Sequence, residues 1–187
     1  MKKSVVFVLV IMFLTSISGQ ICAGEKAPPK VVALANSELV KIGTDPVIID
    51  AVKAQNAKNM TLDQIKNMDA SWKAHVGIAD YMKAMMESEC AMFLYKIQKS
   101  QPYYVEIFVM DSQGANVAMT DKTSDYWQGD EAKFQKSFAD GTGAVFIDEV
   151  EYDDSSQAYL VQVSVPVKDG DKVIGAITFG IDIDSLE

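Results

Sequence analysis

The spacing of apolar residues changes once along the chain, near Pro102. Before Pro102 the apolar side chains recur every three or four residues, which predicts helices over residues 31–42, 46–57, 61–67 and 76–98. After Pro102 they tend to alternate with polar ones, which predicts strands. The pattern therefore indicates a helical first half, with one long helix at 76–98, followed by a sheet built from residues 105–111, 116–120, 144–152, 158–167 and 172–182.

Short polar segments punctuate this pattern. Asp45 before Pro46 is typical of a helix start, and Thr61 with Gln64 has the spacing of a capping box. Residues 111–114, 153–156 and 168–171 are turn formers between successive strands, which favours antiparallel pairing in a meander-like order, with one helical excursion around residues 131–139. The predicted fold class is therefore α+β, with N-terminal helices packed on a five-stranded antiparallel sheet.

The first 23 residues have the layout of a secretory signal peptide. Lys2 and Lys3 precede an uncharged apolar stretch at 5–17, and Ala23 offers a small residue for cleavage. This predicts a periplasmic or secreted protein, with a linker at 24–30 and a single domain at 31–187; the alternative is an uncleaved N-terminal helix that anchors the protein. Cys90 would then be the lone thiol of the mature chain, either buried or available for an intermolecular disulfide.

The charge balance excludes some partners. The chain has 17 basic and 26 acidic residues, and every basic residue is Lys. An acidic protein without Arg is a poor candidate for nucleic-acid binding, and it lacks the bidentate side chain that grips carboxylates and phosphates. Such a surface favours cationic or neutral ligands, although solubility alone also explains it.

Two strands carry one apolar face and one small, polar face. In the strand at 158–167 the second face holds Ser164, and in the strand at 172–182 it holds Thr178, Gly180 and Asp182. A solvent-exposed face and a pocket floor would both look like this. The shortness of these side chains favours a covered face, on which Gly180 leaves room and Asp182 presents a carboxylate.

The loop between the second and third strands places aromatic rings among carboxylates. Tyr126 and Trp127 are suited either to stacking on a ligand or to covering the edge of the core. Asp125 and Asp130 flank them and either clamp an amine, with a cation–π contribution from the rings, or act as a turn former and as the N-cap of the helix at 131–139. The working hypothesis is that the two rings roof a cavity whose base lies around Gly180.

The order of these elements resembles that of the extracytoplasmic Cache (PDC) sensor domains, which have a PAS-like fold. The resemblance covers roughly residues 31–187, and its motifs are Val-Met-Asp-Ser-Gln-Gly at 109–114, Thr-Ser-Asp-Tyr-Trp at 123–127, and Val-Ile-Gly-Ala at 173–176 with Asp-Ile-Asp at 182–184. It implies ligand capture on one side of the sheet, under the loop after the second strand. The residues that this resemblance and the strand faces indicate as ligand-binding are Asp125, Tyr126, Trp127, Asp130, Lys133, Asp153, Ser164, Thr178 and Asp182, with Lys133 as a substitute for the Arg of amino-acid-binding members.

The resemblance implies an exported small-molecule sensor domain for an amine, an amino acid or a small carboxylate. Because the sequence ends after the fifth strand, we expect signalling by contact with a membrane receptor or with a second copy in a homodimer. The alternative is a structural or interaction module with a vestigial pocket that assembles through its N-terminal helices. A hydrolase using Asp130, Asp148 and Asp182 is a third hypothesis, disfavoured because no nucleophile–His pair is suggested by spacing; we expect no enzyme activity, cofactor or metal.

Overall fold

The computed structural model describes residues 25–153 and 156–186. The predicted signal peptide, or anchor, at residues 1–23 lies outside these ranges. Within them, the fold divides into a helical first half and a sheet with one helical excursion, as predicted. The helices are α1 (Pro29–Leu34), which continues through a π-helical turn (Ala35–Leu39) into α2 (Val40–Ile42), then α3 (Pro46–Asn56), α4 (Leu62–Ala74), α5 (Asp80–Met86), α6 (Glu89–Gln98) and α7 (Ala132–Phe138).

Side-chain caps fix where several helices begin. The Asp45 carboxylate accepts a hydrogen bond from the Val47 amide at 2.9 Å, and Pro46 occupies the first turn of α3. Thr61 and Gln64 form the predicted capping box at the start of α4. These caps satisfy backbone N–H groups that have no partner inside the helix.

The prediction of one long helix over 76–98 was wrong. Residues 75–79 form a loop in which Gly77 has a φ of +83°, and α5 ends at Met86. The Ser88 side chain then caps α6 by accepting from the Ala91 amide at 3.1 Å. A residue that caps a new helix has extended backbone angles, so Ser88 interrupts the helical period that the apolar residues otherwise suggest. In contrast, α4 runs well beyond the predicted end at residue 67.

The sheet has five strands, all paired antiparallel in the order β2-β1-β5-β4-β3. The meander prediction was correct for β3, β4 and β5 and wrong for the sheet as a whole, because β5 returns to lie between β1 and β4. The helical excursion therefore carries the chain from one edge of the sheet to the other. The strands are β1 (Tyr104–Met110), β2 (Asn116–Met119), β3 (Phe146–Asp153), β4 (Ala158–Asp169) and β5 (Lys172–Asp182).

The N-terminal helices cover the apolar face of the sheet, called here the helix face. Ile48 and Val52 of α3 and Leu94 of α6 are fully buried against it. The sheet contributes alternate residues of β1, β4 and β5, as expected from strand periodicity. Its fully buried members are Ile107, Val109, Val161, Val163, Val165, Val167, Ile177, Phe179 and Ile181.

The opposite face of the sheet, called here the loop face, is covered by α4, α7 and the loop at 121–131. Ser164 and Thr178 are fully buried there, and their hydroxyl oxygens lie 2.8 Å apart in a hydrogen bond. The prediction that this face is covered rather than exposed is therefore confirmed. An apolar cluster fills the part of this face near β2 and includes Phe108, Met110 and Ala176.

Cys90 is 4% exposed, in agreement with the buried-thiol alternative, and burial raises the pKa of its thiol to about 12. It packs in the core of the helix face. None of the helices within residues 25–153 and 156–186 is long and apolar enough to cross a bilayer.

Candidate functional site

A polar cleft of about 320 Å³ opens on the loop face, beside the apolar cluster. Three strands supply its floor and one wall, while the loop and α7 supply the other. It shares Lys133, Asp153 and Gln162 with a neighbouring depression of about 390 Å³, and Glu106, Lys122 and Asp153 with another of about 460 Å³. The residues that line the cleft are Glu106, Phe108, Lys122, Thr123, Ser124, Gln128, Lys133, Asp153 and Gln162.

Glu106 and Gln162 form the polar floor. The Gln162 Nε2 donates to Glu106 Oε1 at 3.0 Å, across β5, which separates their strands. Gly180 makes this possible, since a Cβ at that position would approach Glu106 Cγ to 2.6 Å. Burial raises the pKa of the Glu106 carboxyl, and the hydrogen bond from Gln162 and the positive charge of Lys133 oppose that rise.

Two lysines line the cleft, and both have partners. Lys133 lies 2.8 Å from a Glu131 carboxylate oxygen, and its ammonium is 5.5 Å from the centre of the Phe108 ring. Lys122 donates to the carbonyl oxygens of His75 at 3.1 Å and Gly77 at 2.9 Å. Their charge therefore remains close to the cleft, but their N–H donors are directed at least in part to neighbouring protein oxygens.

Gln128 is the most buried polar residue of the cleft lining, with 1% exposure. Its Nε2 donates to the Asp125 carbonyl oxygen at 2.9 Å, which fixes the orientation of the side-chain amide. The other atom of that amide, Oε1, is buried and accepts no hydrogen bond from the described residues. A buried acceptor without a donor costs free energy and is rare in folded proteins.

Four of the sequence-predicted ligand residues belong to the cleft or lie under the same face. Lys133 and Asp153 line it. Asp153 is the last residue of β3, and its Oδ1 accepts from the Ser156 amide at 2.8 Å. Ser164 and Thr178 are buried in the sheet and hydrogen-bonded to each other, so they shape the face rather than present free hydroxyls to the cleft.

Asp130 and Asp182 are elsewhere. Asp130 is exposed in the turn before α7, and the N-cap of that helix is Glu131, so the prediction that Asp130 caps it was wrong. Asp182 ends β5 and organises the following turn. Its carboxylate accepts from the Asp184 amide at 3.0 Å and the Ser185 hydroxyl at 2.6 Å. Both carboxylates therefore have positions outside the cleft lining.

Tyr126 is a core residue. It is 2% exposed, and its ring centre is 5.8 Å from that of Trp72 in α4. The phenol oxygen accepts from Gln55 Nε2 at 3.3 Å, and burial raises the pKa of the phenol to about 12. The structure thus realises the core-covering alternative for this ring.

Trp127 packs over the turn between β1 and β2. Its indole N–H donates to the Gln113 carbonyl at 2.8 Å, and the Lys66 ammonium lies 4.7 Å from the ring centre. The hypothesis that Tyr126 and Trp127 roof a cavity above Gly180 was therefore wrong: the rings face α4 and the turn. The space above Gly180 holds the Glu106 side chain.

The loop is held by charges on α4. Asp69 is 7% exposed, and its Oδ1 accepts from the amides of Tyr126 at 2.9 Å and Trp127 at 3.1 Å. Lys73 joins Asp69 Oδ2 at 2.7 Å to Asp125 Oδ1 at 3.0 Å. These carboxylates raise the pKa of the Lys73 ammonium by hydrogen bonding. Asp125 thus contributes to anchoring the loop.

Glu106, Gln128, Gln162 and Lys122 were not singled out from the sequence. A signal for two of them was present, since Glu106 is a lone charge within β1 and Gln162 is a polar residue with apolar neighbours on both sides in β4. No comparable signal identified Gln128, whose role depends on where the loop folds. Within the described ranges, no group of three or more His, Cys, Asp or Glu side chains is arranged to hold a metal ion.

No protein-family model matches the sequence, and no curated protein matches it. Several solved structures are similar. The sensor domain of the V. cholerae histidine kinase DctB is 15% identical with a TM-score of 0.41, over 84% of this chain and 52% of that one. The sensory domain of the Campylobacter jejuni chemoreceptor Tlp3 is 12% identical with a TM-score of 0.40, over 85% of this chain and 66% of that one.

A third match is the ligand-binding domain of the Pseudomonas aeruginosa PAO1 amino-acid chemoreceptor PctC in complex with GABA. It is 10% identical with a TM-score of 0.38, over 81% of this chain and 61% of that one. All three are sensor or ligand-binding domains, the class that the sequence motifs resemble. This chain spans less than two thirds of the length of each. At these identities and TM-scores the likenesses carry no inference about a ligand or a partner.

Proposed function

We propose that this protein is an extracytoplasmic sensor domain that captures a small molecule in the cleft on the loop face. The observation that carries the proposal is the buried Oε1 of Gln128, which has no hydrogen-bond donor among the described residues, in a cleft whose floor is a hydrogen-bonded Glu106–Gln162 pair. A protein that needed only a packed sheet would fill this position with apolar side chains, as it does in the neighbouring cluster.

The cleft has the size expected of a small-molecule site, and its lining is more polar than that of most such sites. Protein pockets that hold small ligands have volumes of roughly 300–1,000 Å³ and are lined mainly by apolar side chains with a few placed polar groups. Here the Phe108 ring supplies apolar surface, and Glu106, Gln128 and Gln162 supply polar atoms. The predicted ligand classes (an amine, an amino acid or a small carboxylate) all fit these dimensions.

The same contacts give a route from the ligand to the helices. A ligand in the cleft touches the loop at 122–128, and this loop is tied to α4 by Asp69, by Lys73 and by the Trp72 indole, which donates to the Thr123 carbonyl at 2.8 Å. A ligand that binds one arrangement of loop and α4 better than another shifts the equilibrium by that difference in affinity. A partner protein, or a second copy of the chain, that contacts the helices would read the shift.

Thermal unfolding with a panel of amines, amino acids and small carboxylates tests the proposal. A ligand at about 100 times its Kd adds about 2.7 kcal/mol to the free energy of unfolding. We expect at least one compound to raise the Tm of the wild-type protein and to lose its effect in Gln162→Arg, in which a long side chain occupies the cleft.

The matched control is Ala54→Arg, which places the same side chain in a groove against α3 on the other side of the sheet. Ala54→Arg should respond to the ligand like the wild type. A panel without effect on the wild-type protein would contradict the proposal and favour a structural module with a vestigial pocket. Stabilisation that survives Gln162→Arg would place the binding site outside the cleft.

A further inference from the structure

The donors of the cleft already have hydrogen-bond partners, whereas one of its acceptors has none among the described residues. Lys122 already donates to two carbonyl oxygens, and Lys133 is paired with Glu131. Gln128 Oε1, by contrast, accepts nothing from the described residues, although it is buried. The atom that lacks a partner in this cleft is an acceptor, so the group that completes it must be a donor.

The orientation of the Gln128 side-chain amide supports the conclusion that the missing partner is a donor. Exchanging the nitrogen and oxygen of its side-chain amide would place Oε1 against the Asp125 carbonyl oxygen, 2.9 Å from the atom that now donates to it. Two acceptors at that distance repel each other. The amide must therefore keep its nitrogen on Asp125, which leaves its buried oxygen as the acceptor without a donor among the described residues.

The nearby carboxylates set the charge of the donor. Glu106 lies on the floor of the same cleft and receives one hydrogen bond from Gln162, which leaves acceptor capacity on a carboxylate that has two oxygens. Asp153 lines the cleft as well. A cation near these two groups would recover part of the electrostatic energy that burial removes from Glu106.

We propose, on the basis of the function proposed above, that the cleft selects ligands through a primary ammonium group, which donates to Gln128 Oε1 and Glu106. A primary ammonium carries one positive charge and three N–H donors, which matches a charged and a neutral acceptor lining one cleft. The Phe108 ring then borders the space available to the carbon chain. A carboxylate on the same ligand is not required, since the two lysines of the cleft already have oxygen partners.

Isothermal titration calorimetry with four compounds of matched chain length tests the chemistry directly. The probes are n-butylamine, butyrate, L-2-aminobutyrate and butyltrimethylammonium, which has the charge of an amine without its N–H groups. We expect n-butylamine to bind the wild-type protein, butyrate to show no binding, and butyltrimethylammonium to bind at least about tenfold more weakly than n-butylamine. L-2-aminobutyrate separates a simple amine from an amino acid as the source of the ammonium.

Substitutions assign the contacts. Glu106→Gln keeps the shape of the floor and removes its charge, and Gln128→Met keeps the length of the side chain and removes the acceptor. Each should weaken n-butylamine binding by about tenfold or more, while Glu87→Gln, on the exposed surface of the helical half, should leave it unchanged. Circular dichroism of each variant verifies that it is folded, and Glu106→Gln is informative even if the buried Gln128→Met fails to fold.

Failure to bind n-butylamine, or equal binding to wild type and Glu106→Gln, would overturn the inference. The proposed function would survive that result if the wider panel yields a ligand that Gln162→Arg excludes. If no compound of the panel binds, both the proposed function and the inference about the ammonium group are contradicted. Equal affinity for n-butylamine and butyltrimethylammonium would show that charge alone is recognised and would overturn the role of Gln128 as an acceptor.

Discussion

The two faces of β5 show how one strand serves two purposes. Its residues alternate: Phe179 points into the helix face and is fully buried among apolar side chains, and Gly180, the next residue, lies on the loop face beneath Glu106. The helix face is closed by close-packed apolar groups. The loop face combines an apolar cluster near β2 with a polar cleft near β3.

This contrast separates the part of the molecule that supplies most of its stability from the part that holds polar groups suited to binding. Burial of apolar area dominates folding, and the helix face has the more continuous apolar surface. Polar groups on the loop face are hydrogen-bonded to each other where they are deeply buried, as with Ser164 and Thr178, and only partly satisfied where the cleft opens. Four experiments test this contrast.

Phe179→Ala should have the largest effect. The side chain is fully buried on the helix face and packs near Tyr104, with ring centres 6.0 Å apart. Truncation of a buried Phe costs about 3–5 kcal/mol because transfer energy is lost and a cavity remains. Urea unfolding should show this loss for Phe179→Ala and a much smaller one for Tyr159→Ala, since Tyr159 is 51% exposed. Equal losses would contradict the assignment of the core to the helix face.

Asp69→Ala should have the next largest effect, because it releases the loop from α4. It leaves the amides of Tyr126 and Trp127 without their acceptor, and an unsatisfied buried donor costs about 1–3 kcal/mol. Urea unfolding measures the loss, and hydrogen exchange should show faster exchange of these two amides. The control Lys73→Met removes the two partly exposed ion pairs with Asp69 and Asp125, keeps the acceptor of both amides, and should cost less. Unchanged exchange in Asp69→Ala would show that the loop is held by packing alone.

Much of this fold could be predicted from local sequence rules, because those rules act within a few residues. The Thr61–Gln64 capping box, the Asp45 cap and the alternating faces of β4 and β5 all follow from short-range geometry. The break at Ser88 was missed because the sequence alone does not distinguish a serine inside a helix from a serine that caps a new helix. The position of β5 between β1 and β4 depends on pairing between residues far apart in the sequence, which no turn motif predicts.

The candidate site was harder to predict for the same reason. Tyr126 and Trp127 attracted attention as aromatic residues among carboxylates, but their positions depend on contacts with Trp72, Gln113 and Asp69, far away in sequence. Glu106 carried a local signal, as a lone charge within β1. Its partner Gln162 and the space over Gly180 become meaningful only once the strands are paired.

Ser164 and Thr178 should show a smaller, specific coupling. Their hydroxyls share one hydrogen bond of 2.8 Å in a fully buried part of the loop face. We expect each of Ser164→Ala and Thr178→Val to destabilise the protein, and the double variant to lose less than the sum of the two, with a coupling energy of about 1 kcal/mol. A double-mutant cycle by urea unfolding measures it. Strict additivity would show that the two hydroxyls do not depend on each other.

Glu106→Gln should produce the most subtle effect, a change in how stability depends on pH. Burial raises the pKa of Glu106 above its ordinary value of 4.5, so between that value and the raised one the folded protein holds a proton that the unfolded chain has released. The contribution of Glu106 to the free energy of unfolding therefore falls as pH rises through this interval. Wild-type protein and Glu106→Gln should be closest in Tm below about pH 4, and the variant should gain relative to wild type as pH approaches neutrality.

Thermal scans from about pH 3 to pH 8 measure that difference, with Glu87→Gln as the control for removing a negative charge from an acidic protein. Lys133, Lys122, Asp153 and Asp121 surround Glu106 or lie nearby and remain in both proteins, so the difference between wild type and variant isolates the Glu106 carboxyl. A Tm difference that stays constant across this range would mean that Glu106 is solvated like an ordinary surface carboxylate. The cleft would then lack the desolvated floor that separates it from the rest of the acidic surface.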